Sequence, residues 1–409
     1  MERYRKRLAD DVIADLLGSF PALFLTGPRS IGKTTTALRF AGSVVRLDRS
    51  IEAEVARADP DALLRGLSEP VLIDEWQLAP EVLGAVKRAV DLDPHPGRYI
   101  VAGSALARRE PQTWPGTGRL IEIPMFGLTV REQLGSLDRS WFVERVLGDE
   151  VLSPTDPPDL RGYVELALRS GFPQAAFRDS PTQRQRWLRS YLDLAVARDA
   201  AELSDRDPVR LRRYFDVLAL NSAGIPQDRT LYDAAGIARD TASAYDRLLG
   251  DLMLAEAVPA WWTNRLKRLT TSPKRYITDC GVMATSIGVD AGAVMRDGDL
   301  LGRLLETFVA SQLRPELALH PERPRLHHLR TRDGREVDLV VEFAGGRILA
   351  IEVKAAGAVT AHDARHLVWL RDQLGERFLA GVVFHTGPRL FNLGERISAA
   401  PIATLWSTP

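Results

Sequence analysis

Residues 22 to 36, Ala-Leu-Phe-Leu-Thr-Gly-Pro-Arg-Ser-Ile-Gly-Lys-Thr-Thr-Thr, constrain the chain more than any other stretch. An apolar run leads to Gly27, and Gly32, Lys33 and Thr34 follow at the G-x-x-x-x-G-K-[ST] spacing of a loop that cradles phosphates. Each part has a mechanical reason. The apolar residues 22 to 25 predict a buried strand, and Gly27 and Gly32 let the backbone turn with its N–H groups converging. The next helix then opens with its positive dipole end toward the bound anion. The predicted nucleotide contacts are therefore Gly27, Pro28, Arg29, Ser30, Ile31, Gly32, Lys33, Thr34 and Thr35. Lys33 brings a point charge to the β- and γ-phosphates, and the Thr34 hydroxyl can ligate Mg2+. A chance Gly-rich turn would not require strand, loop and helix to fall in this order.

After the loop, Lys33 to Phe40 predicts a helix and Ser43 to Leu47 a strand. Residues 50 to 67 carry apolar positions at helical spacing: Ile51, Val55, Ala58, Ala62 and Leu63. Pro70-Val71-Leu72-Ile73-Asp74-Glu75 is an apolar strand ending in two carboxylates, the Walker B pattern. Asp74 is expected to hold Mg2+ through water, and Glu75 to orient or deprotonate an attacking water. Arg98 to Ser104 predicts a further strand, and Gly116-Thr117-Gly118-Arg119 leads into another, Leu120 to Pro124. This alternation predicts an α/β, doubly wound parallel sheet with nucleotide at the carboxyl ends of its strands. In AAA-type ATPases, which this stretch resembles, the strand tip matching Ser104 carries a γ-phosphate sensor. An arginine at the place of Arg119 stabilises transition-state charge there, in cis or across a subunit boundary. The alternatives left open are a strand-end turn at Ser104 and coincidence at Arg119, one of 48 arginines.

A chain of 409 residues predicts about two or three domains. The formal net charge of zero provides no global field toward nucleic acid or membrane, so any basic site must be local. A single cysteine, Cys280, excludes an internal disulfide framework and a Cys-rich zinc site. The charged N-terminus is not a signal peptide, and no apolar run approaches the roughly 20 residues of a membrane span. A cytoplasmic location without membrane partners is expected. Only six lysines accompany the 48 arginines, so a retained lysine marks a place that needs a compact ammonium. Lys33 is one such place and Lys354 a second.

A Pro-rich break at 151 to 158 predicts a linker, and residues 159 to 205 are largely helical in pattern. Trp187 and Tyr191, four apart, share one face and read as core rather than site. Three short helices, Val209 to Leu220, Thr230 to Ile237 and Thr241 to Leu254, have helix-turn-helix spacing, with Asp240 expected to N-cap the third. Extended segments with Trp261 and Trp262 predict a wing. Asp240, Asp246 and Asp251 on the third helix, the recognition helix of such a motif, oppose phosphate, whereas Arg265, Lys267, Arg268, Lys274 and Arg275 on the wing favour it. Nucleic-acid contact and a solvated strand edge both remain open for the wing.

Residues 335 to 356 hold two alternating runs around Ala344-Gly345-Gly346, a hairpin signal. A hairpin symmetric about Gly345 sets Asp338 opposite Glu352 and Glu336 opposite Lys354, all on one face. Opposed carboxylates repel. They become useful with a divalent cation between them, Mg2+ or Mn2+, and Lys354 steadying a nucleophilic water or a scissile phosphate. Upstream, Leu301, Leu304, Leu305, Phe308 and Gln312 form a helical stripe whose margin carries Glu306, a candidate third carboxylate. Downstream, Ala361 to Leu374 predicts another amphipathic helix. Helix carboxylate, strand Asp and Glu-x-Lys resemble the PD-(D/E)xK nuclease pattern. A solvated strand face carrying Glu and Lys is the alternative.

Across nearly its whole length the chain resembles a prokaryotic family of AAA-type ATPases with a C-terminal domain of uncharacterised function. The residues that carry the resemblance are Gly27 to Thr34, Ile73 to Gln77, Ala102 to Ser104, Ser-Pro-Lys-Arg-Tyr-Ile-Thr-Asp-Cys-Gly (272 to 281), Glu-Val-Asp and Ile-Glu-Val-Lys. Cys280-Gly281 departs from the family's usual Thr-Gly. The resemblance implies a P-loop ATPase domain (1–150), a helical, winged-helix-like middle (159–290) and a PD-(D/E)xK nuclease-like end (295–409). The leading expectation is ATP binding and hydrolysis that gates a metal-dependent, nucleic-acid-directed nuclease-like domain acting on DNA or RNA. The alternatives are an ATP-dependent switch with a catalytically inactive C-terminal domain, and a helicase-like or remodelling motor. A homo-oligomer is a further expectation.

Overall fold

The computed structural model describes residues 4–103, 118–137, 141–148, 153–203, 207–263 and 272–407. The chain divides into two compact units, Met1–Phe126 and Gly127–Pro409. The sequence boundary at residue 150 thus falls inside the second unit, and the expected second and third domains share that unit.

The first unit is built on five strands: β1 (Ala22–Thr26), β2 (Ser43–Arg46), β3 (Val71–Asp74), β4 (Tyr99–Ala102) and β5 (Leu120–Pro124). All pair in parallel, in the order β2-β3-β4-β1-β5. Every residue of β1, β3 and β4 is buried, as a parallel sheet covered on both faces demands. Two local expectations are corrected. The helix after the loop ends at Ala37 rather than Phe40, because Arg39 and Phe40 close in tighter turns onto Thr36 and Ala37. The 50 to 67 stretch breaks into Ser50–Ala58 and Pro60–Leu64, with Asp59 capping the second helix and Pro60 at its first position. Ile51 and Val55 face solvent while the small Ala53 and Ala56 pack inward, since close helix–sheet approach selects short side chains.

In the second unit, helices Pro208–Leu220, Asp228–Ala235 and Arg239–Asp251 precede an antiparallel pair, β6 (Ala255–Val258) and β7 (Lys274–Ile277). Helix three begins at Arg239 with Ala238 at its N-cap, so Asp240 lies in the first turn, where its charge suits the dipole. The expected wing is corrected in two ways. Trp261 leaves β6 to donate its backbone N–H to His328 O at 2.6 Å and buries its ring with Leu329, Val337 and Ala350. Lys274 and Arg275 are buried rather than displayed. Arg275 pairs with Asp228 and Asp246, which also accepts from Tyr214, so those acids satisfy partners inside the unit. Arg265, Lys267 and Arg268 lie outside the described residues. Trp187 and Tyr191 stack at 5.4 Å, half-buried, beside Phe172.

The last third forms a six-stranded mixed sheet from β8 (Arg325–Arg330), β9 (Glu336–Glu342), β10 (Ile348–Val353), β11 (Phe378–His385), β12 (Phe391–Gly394) and β13 (Ile397–Pro401). Ile348 faces Glu342, Ala350 faces Val340 and Ile351 faces Leu339, the symmetry about Gly345 that the sequence predicts. Gly345 and Gly346 take φ of 74° and 73°, a left-handed pair that few side chains tolerate. Helices Gly298–Leu319 and Arg365–Leu374 pack on this sheet, and Leu301, Leu304, Leu305 and Phe308 are buried as their stripe predicts. Val340 and Ala350, on the same face as Asp338, are also fully buried, so that face is not solvated.

The 272 to 281 signature is a packing hub. Asp279 accepts from Ser170 Oγ at 2.9 Å and Gly171 N at 2.7 Å while capping the helix Cys280–Ile287 through Val282 N. A Cβ at Gly281 would stand 2.7 Å from Ser170 Cβ and 3.1 Å from Leu188 Cδ1. Gly281→Ala is accordingly expected to destabilise the second unit by about 1–3 kcal/mol, measured by chemical denaturation.

Candidate functional site

Strand register assembles the first site. Leu25 and Asp74 both pair with Ala102, so the carboxyl ends of β1, β4 and β3 lie side by side. Beyond β1 the backbone turns at Gly27 (φ 151°), Ser30 (φ 61°) and Gly32 (φ 102°). A Cβ on Gly27 would lie 2.4 Å from Met125 O, so this position has room only for glycine. Lys33 is buried and donates to the loop's own carbonyls, Gly27 O at 3.0 Å and Pro28 O at 2.8 Å. Burial lowers its pKa to about 8, against the raising effect of Glu75 and Asp74. The five-residue helix that follows has a small dipole, which leaves loop N–H groups and Lys33 as the main donors available to a phosphate.

Thr34 Oγ1 donates to Asp74 Oδ1 at 2.9 Å. Burial raises the Asp74 pKa while that hydrogen bond lowers it, and burial prevails. A hydroxyl and a carboxylate at this separation make a hard-oxygen donor set that fits Mg2+. Glu75 follows in a left-handed conformation (φ 54°, ψ 42°), unusual for a residue with a side chain and typical of strain held at a functional position. Its carboxylate accepts from Gln77 Nε2. Gln77 was not assigned a role from sequence, although Trp76 and Gln77 sit in the stretch that carries the family resemblance. A Cβ at Gly103 would stand 2.4 Å from Gln77 Oε1 and 2.5 Å from Trp76 Cδ1. Gly103→Ala is expected to dislodge Gln77 from Glu75 and reduce ATP turnover about tenfold, the weight of one charged hydrogen bond, as steady-state kcat will read.

Two further groups brace the loop and were missed in the sequence. Arg7 donates to Ile31 O at 3.0 Å and Phe126 O at 2.7 Å. Tyr4 donates to Asp10 Oδ1 at 2.7 Å and contacts Thr36 Oγ1 at 3.1 Å. Ser104 lies outside the described residues. Arg119 is not brought to the loop: Leu120, its neighbour, pairs with Ala22 at the start of β1, whereas the loop leaves the far end of that strand. Its guanidinium pairs instead with Asp91. In parallel strands the residue before β5 lies a full strand length, about 15 Å, from the phosphate end.

The second cluster lies in the Gly127–Pro409 unit. The helix Gly298–Leu319 delivers Glu306, β9 delivers Glu336 and Asp338, and β10 and its end deliver Glu352 and Lys354. The expected carboxylates are thus gathered, but β7 adds a cation among them. Lys274 Nζ lies 2.6 Å from Glu306 Oε1, 3.2 Å from Asp338 Oδ1 and 3.8 Å from Glu336 Oε1, with only 1% of the residue exposed. Asp338 Oδ2 accepts from Val353 N at 2.9 Å, and Tyr276 donates to Glu306. Lys354 Nζ holds Glu352 Oε2 at 2.8 Å; Glu352 Oε1 is buried without a hydrogen-bond partner beside Asp338.

The charges sort themselves accordingly. Burial opposes ionisation of Asp338, yet Lys274, Val353 N–H and Lys354 hold it below the usual carboxylate range. Burial and then the Asp338 charge push Glu352 well above that range, so it keeps a proton, and a proton on Oε1 turns the orphaned oxygen into a donor. Burial raises Glu306 to about 7 despite Lys274. Lys274 is raised by Glu306 and Asp338, although burial alone would lower it. Tested against the Mg2+ or Mn2+ expected here, the residues do not fit: Glu306 and Asp338 are ion-paired to the Lys274 ammonium, and Glu352 is held by Lys354. Among the described residues no group of three or more His, Cys, Asp or Glu is arranged to hold a metal ion.

The parallel sheet, phosphate loop and Asp-Glu strand tip define the first unit as an AAA-type P-loop ATPase domain, and residues 19–134 match a family described as "AAA domain". Residues 160–293 and 301–405 match two families described as domains of unknown function, DUF8612 and DUF4143. Uncharacterized proteins of Mycobacterium bovis and Mycobacterium tuberculosis are each 29% identical over 397 residues, covering 95% of this chain and 81% of theirs. Among solved structures, a Walker-type ATPase of Pyrococcus abyssi is similar at 15% identity and a TM-score of 0.41, over 70% of this chain and 99% of that one. A STAND protein of Pyrococcus horikoshii with a tetratricopeptide repeat sensor gives 11% identity and a TM-score of 0.18, over 78% and 47%. TM-scores this low define neither a shared fold nor a shared activity. Among the described residues no helix is long and apolar enough to cross a membrane.

Proposed function

We propose that this chain binds and hydrolyses ATP at Gly27 to Thr35, and that its nucleotide state governs the C-terminal region. The observation that carries the proposal is the 2.9 Å approach of Thr34 Oγ1 to Asp74 Oδ1, which joins the phosphate loop to the Asp-Glu strand tip. Thr34 and Asp74 would hold Mg2+, which when bound neutralises charge on the β- and γ-phosphates. Lys33 would leave the Gly27 and Pro28 carbonyls to meet the phosphate oxygens. Glu75, held by Gln77, would orient the attacking water and accept its proton.

The pH dependence follows from Lys33. Below its free-state pKa of about 8 the ammonium is already charged, so ATP affinity is expected to be insensitive to Lys33 there. Phosphate oxygens stabilise the charge, so the pKa rises on binding. Above pH 8 binding therefore takes up a proton, and affinity is expected to fall by up to about tenfold per pH unit. Calorimetric titration from about pH 7 to about pH 9.5 in buffers of different ionisation enthalpy will read both the fall and the proton uptake.

For the C-terminal region there are two readings. In the first, Asp338, Glu352, Lys354 and Glu306 form a metal-dependent nuclease-like centre for DNA or RNA, gated by the ATP cycle. In the second, ATP drives a conformational or assembly switch and the C-terminal domain binds without cleaving. The Lys274 ammonium among those carboxylates favours the second. The test is cleavage of single-stranded and duplex DNA and RNA with Mg2+ or Mn2+, with and without ATP. The second reading expects no cleavage above Asp338→Asn background; metal-dependent cleavage that this substitution removes would restore the first.

A further inference from the structure

We propose that Lys274 is a tethered replacement for a divalent cation: the C-terminal unit closes its carboxylate cluster with its own ammonium and takes no metal there. The inference deepens the non-cleaving reading and rests on the same cluster. The assay below reads metal binding alone, so its failure and the discovery of cleavage are separate results.

The contacts support replacement rather than a ligand position awaiting an ion. A magnesium-like cation is held by oxygens at about 2.0–2.1 Å in octahedral geometry. Here the oxygens of Glu306 and Asp338 stand at 2.6 and 3.2 Å around a nitrogen, as ion-paired hydrogen bonds do. The oxygens are also committed elsewhere. Tyr276 donates to the same Glu306 oxygen that Lys274 holds, and Val353 N–H takes the second oxygen of Asp338. Lys274 could not be exposed instead, because β7 is buried along its whole length. In a chain with six lysines and 48 arginines, lysine here also matches the space. Three carboxylates converge on one point, which a compact ammonium fills and a planar guanidinium fork does not.

The replacement predicts its own reversal. Removing the ammonium while keeping Glu306, Glu336 and Asp338 should leave a vacant anionic pocket that a divalent cation can fill. The experiment uses the full chain without nucleotide and Mn2+ alone as probe, with bound Mn2+ counted by electron paramagnetic resonance. Asp74→Asn is present throughout, so that the P-loop contributes no Mn2+ site. With Lys274 intact, no Mn2+ should bind at the cluster. Lys274→Ala should gain a Mn2+ site and a Mn2+-dependent rise in Tm, and adding Asp338→Asn should abolish both. Folding of Lys274→Ala only in the presence of Mn2+ would support the proposal as well. Mn2+ bound by the Lys274-intact protein and lost on Asp338→Asn would overturn it. So would a folded Lys274→Ala protein that gains no site. If Lys274→Ala folds under neither condition, the Lys274-intact titration decides: any Mn2+ bound near Tyr276, detected as selective relaxation of its ring resonances, overturns the proposal, and none supports it.

Discussion

Methionine at Lys274 is expected to destabilise the Gly127–Pro409 unit by about 3–5 kcal/mol, the penalty for leaving buried carboxylates without their cation. Lys274 and Glu306 side chains are 2% and 12% exposed, so solvent does little to screen the loss. Methionine keeps most of the side-chain volume, which separates charge from cavity effects. Adding Glu306→Gln and Asp338→Asn should recover a large part of the loss, because the stranded charges then disappear. Denaturant midpoints of the single, double and triple variants give the coupling. Recovery would be absent if Lys274 mattered only through packing.

Glutamine at Glu75 is the second large effect. It keeps the shape and can still hydrogen-bond Gln77, but it cannot accept a proton or orient water through a full negative charge. ATP binding should stay within about twofold, and turnover should fall by about 10²-fold or more. The separation is the informative part. Glu75 lies beyond the Thr34–Asp74 pair, so a change there should spare the groups that meet the phosphates and Mg2+. Equal losses in binding and turnover would point to collapse of the strained turn at Glu75 rather than to lost chemistry.

The parts of the molecule that were legible in sequence depend on local rules. The phosphate loop is a contiguous motif, and the hairpin register follows from two alternating runs around glycines that can take positive φ. The same local logic explains the buried stripe on the Glu306 helix. What was not legible depends on long-range placement. Lys274 meets Glu306 and Asp338 from 32 and 64 positions away in the chain, and no pattern within β7 announces an inward lysine. A signal was present nonetheless: the scarcity of lysine that singled out Lys33 and Lys354 applies equally to Lys274. Arg119 illustrates another limit. Motif order suggests a role at the γ-phosphate, but a residue that precedes a parallel strand begins at the end opposite the loop. Ile51 and Val55 show how apolar spacing can mislead when alanines supply the face that packs against the sheet.

Lys33 donates to the carbonyls of the phosphate loop and feels the charges of Glu75 and Asp74. Steady-state hydrolysis of ATP with Mg2+ by the full chain, wild type against Lys33→Ala, is therefore the most direct measurement. The account predicts measurable wild-type turnover and a loss of about 10²–10³-fold in kcat/KM for the variant. Wild-type protein without turnover, or turnover that survives Lys33→Ala, would contradict it.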